Sequence, residues 1–180
     1  MHRRLLAAIA LALTLAGCSS PASREAMAPK DIAISKHYPH SLHVQTLGGS
    51  DTSGLDSSNI ADADLKAAIE AAVVQSKLFQ SILQGSGADY ELSVQIISLR
   101  RPLIGTTLTV ELETGWSLVR SADRTVVMRK SIQTTGSASI GDAFAFATRL
   151  RLAVEIAARA SISQGLTAIA ALNLSRFVTN

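Results

Sequence analysis

Three groups of side chains in this sequence have types and spacings that could do chemistry: one thiol, three imidazoles and a set of guanidiniums. The thiol belongs to Cys18, the single cysteine of the chain. It closes the stretch Leu15-Ala16-Gly17-Cys18, behind Met1-His2-Arg3-Arg4 and an apolar run from Leu5 to Ala16 that only Thr14 interrupts. A cationic head, an apolar core and small residues before a cut point make an export signal, removed from the mature chain. The core is too short to cross a bilayer, which takes about 20 apolar residues as a helix.

The cysteine directly after the small pair sets this signal apart. Leu15-Ala16-Gly17-Cys18 resembles the lipobox of bacterial lipoproteins at every position. The resemblance implies that the signal is cut between Gly17 and Cys18. It implies too that the Cys18 thiol is thioether-linked to diacylglycerol and that the new amino terminus is acylated. Small side chains at Ala16 and Gly17 let a peptidase approach the backbone, and only a thiol can carry the thioether. Each buried CH₂ of lipid adds about 0.8 kcal/mol, so two or three chains hold a protein firmly on one leaflet. Ser19, in place of the aspartate that retains such proteins in the inner membrane, implies sorting to the periplasmic side of the outer membrane of a Gram-negative host.

His37, His40 and His43 are spaced by three and would share a face if helical, an arrangement that suits zinc. Pro39 sits between them, however, and in a strand His40 and His43 point to opposite faces. No acidic residue lies nearby to complete a shell, so they read as solvated loop histidines and no metal is expected. The patterns G-x-S-x-G, S-x-x-K and H-E-x-x-H are missing from the sequence. A dispersed Ser/His/Asp set is recognised by geometry rather than spacing, which keeps a hydrolase-type enzyme as a third reading. Gly48-Gly49-Ser50 and Gly85-Ser86-Gly87 lack the phosphate-loop pattern. Arg100, Arg101, Arg124 and Arg129, with Lys130, could gather as a basic surface for anionic headgroups or an acidic partner; the competing reading is a set of solvated strand ends. Trp116, the lone tryptophan, reads as core.

Composition bounds what these groups can serve. Cleavage before Cys18 leaves 163 of the 180 residues, enough for one domain with a core and a tether. The formal charge of +3 loses Arg3 and Arg4 with the signal, leaving 15 basic residues against 14 acidic ones. A near-neutral mature chain is not built for nucleic acid. The lipid consumes the one cysteine, so the domain folds without disulfides although its compartment permits them.

The elements that must position these residues follow from hydrophobic period. Residues 18–40 hold three of the four prolines and no period, and read as a flexible tether. Ser41 to Leu47 reads as a first strand, followed by a polar loop from Ser50 to Asn59. From Asp62, Leu65, Ala68, Ile69, Ala72, Ser76, Phe79 and Leu83 recur at helical spacing, and Gly85-Ser86-Gly87 would end that helix. Tyr90, Leu92, Val94 and Ile96 alternate with Glu91, Ser93 and Gln95. A second alternating run spans Thr107 to Leu118, and Ser121 to Arg124 turns into a third from Thr125 to Thr134. Alternation of this kind means a sheet covered on one face. A last helix from about Asp142 to Leu172 carries Phe146, Leu150, Val154, Ala157, Ser161, Ala168 and Leu172 on one side, with Arg151, Glu155 and Arg159 along another. Ser161 to Gly165 could interrupt it.

The expected fold is α+β: a two-layer sandwich, with about four strands in an antiparallel or mixed sheet and two helices on one face, in the order β-α-β-β-β-α. The expected domains are a signal over 1–17, a tether over 18–40 and a single periplasmic domain over 41–180. This order resembles the periplasmic lipoproteins of the YajG type and the auxiliary lipoproteins of ABC-type transporters over most of the mature chain. Gly87-Ala88-Asp89-Tyr90-Glu91-Leu92, the Trp116-Ser117-Leu118 strand with its hairpin, and the closing helix carry the likeness. The resemblance implies a non-catalytic part of an envelope assembly, held on the membrane by its lipid and bound to an envelope protein. The partner surface would be the polar sheet face with Glu91, Gln95, Glu111 and Glu113, or an exposed sheet edge. The alternative is a carrier that takes lipid or another apolar ligand between helix layer and sheet for transport. No cofactor is expected beyond the covalent lipid on Cys18.

Overall fold

A computed structural model describes residues 21–52 and 59–174. Gly17 and Cys18, with the whole signal and Ser19, lie outside the described residues. The elements are α1 (Arg24–Met27), β1 (Tyr38–Leu47), α2 (Asp62–Ser76), β2 (Phe79–Ile82), β3 (Tyr90–Arg100), β4 (Thr107–Arg120), β5 (Val126–Ser139) and α3 (Phe146–Ala170). The strands form one sheet in the order β2-β1-β3-β4-β5. β1 runs parallel to β2 and β3, and β4 runs antiparallel to β3 and β5. The fold is α+β, with five strands in a mixed sheet and three helices among the described residues.

The alternating residues of β3, β4 and β5 bury one side against the helices. Leu92, Val94, Leu108, Val110, Leu112, Trp116 and Leu118 are buried there, with Leu65, Ile69, Val154, Ile162, Leu166 and Ile169 from the helices. Ile162 and Leu166 are thus core. α3 runs unbroken through Ser161 to Gly165 because that turn packs directly on the sheet. A Cβ on Gly165 would lie 2.5 Å from indole carbons of Trp116, and one on Gly136 of β5 would overlap the α3 backbone at Ala153. At these two points helix and sheet approach each other closely.

Two expectations change. The first helix stops at Ser76, seven residues before Leu83, because Lys77 adopts a left-handed conformation (φ 53°) and turns the chain back. Phe79 then enters β2, a short edge strand beside β1, and Gly85-Ser86-Gly87 serves the β2–β3 connection rather than a helix end. The chain ahead of residue 40 also differs from a free tether. Ala22 and Met27 are buried, α1 rests on α2 and α3, and β1 begins at Tyr38.

Glu155 and Arg159, from the i, i+4 line along one side of α3, organise that attachment. Glu155 is buried, and its carboxylate accepts the Ser23 N–H at 3.0 Å. The Arg159 guanidinium donates to the Ala26 carbonyl at 2.8 Å. The Tyr38 hydroxyl lies 2.9 Å from the Ile169 carbonyl, which also takes the Leu172 N–H, and 2.6 Å from the Leu172 carbonyl, so it ties β1 to the end of α3. Burial raises the pKa of this phenol, with a smaller contribution from Tyr90.

Candidate interaction surface

The side of the sheet turned away from the helices is covered by no described element, and register assembles it. Glu91 pairs with Val119, Ser93 with Ser117, Gln95 with Gly115, Ser98 with Glu113 and Arg100 with Glu111. On the other flank of β4, Ser131 stands opposite Gly115, Gln133 opposite Glu113 and Thr135 opposite Glu111. Directly opposed residues share a face. Glu91, Gln95, Glu111 and Glu113 therefore lie on one side, on a background of Ser, Thr and Gln. Cross-strand hydrogen bonds tie this layer: Ser131 donates to Glu113 at 2.9 Å, and the Thr109 and Ser137 hydroxyls sit 2.9 Å apart.

A shift of register between Ile96 and Ser98 gives β3 one extra residue. The extra residue is Ile97, which turns onto the polar face and stays 52% exposed. Its side chain lies over Gly115, where a Cβ would be 3.3 Å from it. Two shallow depressions flank it, of about 390 Å³ by Arg100, Glu111 and Gln133 and about 270 Å³ by Ile97, Arg129 and Ser131. An apolar side chain ringed by small hydroxyls and amides is the make-up of a protein contact, with an anchor inside a polar rim. The bulge that creates it left no mark in the sequence beyond the adjacent pair Ile96-Ile97.

The four arginines of the possible basic surface stand at different places on the sheet. Arg100 stands at one end of β3, 3.6 Å from Glu111. Arg124 stands at the hairpin beyond the other end, 2.6 Å from Glu91. Nine residues of strand at about 3.3 Å each put roughly 30 Å between Glu91 and Arg100. Arg101 turns toward the helix layer and donates to the side-chain carbonyl of Asn59. Arg129 is on β5 opposite Ser117. Arg100, Arg101 and Arg124 each answer a local acceptor, and Arg129 is exposed to solvent, as in the reading of solvated strand ends and turns.

The histidines separate as the strand geometry requires. His40 is buried on the helix-covered side, its ring edge-on to Tyr90 at 5.2 Å, which corrects the expectation of a solvated loop residue. His37 and His43 donate to the Lys77 and Leu83 carbonyls, at 2.6 and 3.0 Å. Among the described residues no three His, Cys, Asp or Glu side chains gather as a metal shell. Trp116 is buried, and its indole N–H donates to the Thr114 hydroxyl at 3.0 Å, itself 2.7 Å from that of Ser161.

No protein-family model matches this sequence. No curated protein matches it either. Solved structures do share its shape. A protein of Xanthomonas campestris from the family DUF330 superimposes with a TM-score of 0.58 at 16% identity, over 79% of this chain and 91% of that one. Protein CT253 of Chlamydia trachomatis gives 0.56 at 5% identity, over 74% of this chain and 96% of that one. A minor lipoprotein of Acinetobacter baumannii gives 0.49 at 10% identity, over 75% and 93%. The first two matches show a common fold.

Proposed function

We propose that the chain is a non-catalytic lipoprotein, anchored through Cys18 to the periplasmic side of the outer membrane, whose uncovered sheet face binds an envelope protein. The observation that carries the binding surface is Ile97 at the bulge, apolar and half exposed in the middle of a polar sheet face. The lipobox supports the anchor, and Ser19 supports the choice of membrane. The likeness to YajG-type and ABC-transport auxiliary lipoproteins supports an accessory role in an assembly rather than a reaction.

The chemistry on view fits this reading. The imidazoles of His37 and His43 are spent on backbone carbonyls, His40 is packed in the core, and the depressions beside Ile97 are shallow. Photo-crosslinkers placed at Ser93, Ile97 and Ser131 in cells are expected to capture a discrete envelope protein, while one at Ala71 on the exposed side of α2 does not. Capture from none of the three sheet positions would sink the binding surface. Ser19→Asp is expected to move the protein to the inner-membrane fraction on a density gradient.

A further inference from the structure

We infer that the domain seats one end of its sheet in the leaflet that takes the Cys18 lipid, through Leu103 and Ile104 of the β3–β4 connection and Phe144 of the β5–α3 connection. These three side chains are 89%, 86% and 91% exposed. Apolar groups this bare, gathered at one place, mark a surface that is covered in use. They are held together by the Arg149 guanidinium, buried beneath the two connections. It donates to the Phe144 carbonyl at 2.6 Å on one side and to the Gly105 carbonyl at 3.3 Å on the other. The Ile140 N–H adds a bond to the Thr106 carbonyl at 3.1 Å.

The occupant follows from where the chain leaves the domain. The Ala22 N–H donates to the Asn59 carbonyl at 3.3 Å, and the side-chain carbonyl of Asn59 takes the guanidinium of Arg101, two residues before Leu103. The amino-terminal end of the folded part is therefore pinned beside the apolar tip. Ala22 lies four residue steps from Cys18, a reach of at most about 14 Å. A headgroup layer is about 5–7 Å thick, so a lipid on Cys18 leaves this end of the domain little room to stand off. An aromatic and two aliphatic side chains are a common make-up for lodging at the interface. This inference rests on the lipid-anchor reading of Cys18.

The test uses the full, lipidated protein in vesicles of phosphatidylethanolamine and phosphatidylglycerol with brominated acyl chains. Cys18 is blocked by its thioether, so a fluorophore can be placed singly at Leu103→Cys, Phe144→Cys or, at the opposite hairpin, Ala122→Cys. All three positions are exposed, so none of the changes removes a core contact. Quenching at 103 and 144 is expected to exceed that at 122 by about twofold or more. Equal quenching at all three overturns the inference. So does a label at 103 shielded from aqueous iodide but not reached by bromine, since a second copy or another protein then covers the tip. An intact mass without lipid on Cys18 overturns the anchor reading and this inference with it, an outcome separable from the others by the mass alone.

Discussion

Asp142 holds the turn from β5 into α3 by accepting the Ser139 N–H at 2.7 Å and the Ser139 hydroxyl at 2.8 Å. These bonds, the backbone one first, keep its carboxyl below the usual carboxylate range. A carboxyl whose pKa is lowered on folding contributes stability that is complete above its unfolded value near 3.8 and lost as pH falls through the lower folded value. Asp142→Asn is therefore expected to lower the melting temperature slightly at pH 6 and to converge with the parent protein in acid below pH 4. A constant gap across that range would contradict the assignment. Glu155 is the residue whose role was hidden. At i, i+4 from Arg151 and Arg159 it looks like half of a surface ion pair, and only the folded-back chain reveals the Ser23 N–H as the donor to its carboxylate. Glu155→Ala is expected to cost about 1–2 kcal/mol, the penalty for stranding a part-buried donor. Trypsin should then cut at Arg24 and Lys30 in the native protein, and resistance equal to the parent would refute the contact.

At the scale of elements, β3, β4 and β5 were legible because a period of two needs only local residues, and the Ser121–Arg124 turn was marked by its own chemistry. β2 was not. Phe79 and Leu83 continue the i, i+3, i+4 spacing of Ala72 and Ser76, so nothing in the pattern separates helix from strand there. The break falls on Lys77, whose left-handed backbone carries no glycine or proline signature. The amino-terminal segment was misread for a related reason: isolated apolar residues such as Ala22 and Met27 have no period, and their burial depends on a helix far along the chain. The polar sheet face was legible residue by residue, but its apolar centre at Ile97 came from a bulge that alternation alone does not encode. The layers meet at Gly165, where helix propensity favours alanine by about 1 kcal/mol. A Cβ 2.5 Å from the Trp116 ring reverses that preference. Overpacking costs about 1–3 kcal/mol, so Gly165→Ala is expected to destabilise by about 1–2 kcal/mol in urea unfolding followed by tryptophan fluorescence. A stabilised variant would show that the two layers can part.

For the whole molecule, the two proposals assign separate tasks to two surfaces: the exposed Leu103, Ile104 and Phe144 at one end of the sheet to the leaflet, and the open face with Ile97 to a protein partner. Both proposals rest on a lipid at Cys18, four positions ahead of the buried Ala22, so the amino terminus decides the account. Its most direct test is the intact mass and amino-terminal peptide of the protein purified from membranes. The expected species begins at Cys18 and carries diacylglycerol and an amide-linked acyl chain. A chain beginning elsewhere, or a Cys18 with a free thiol, would contradict it.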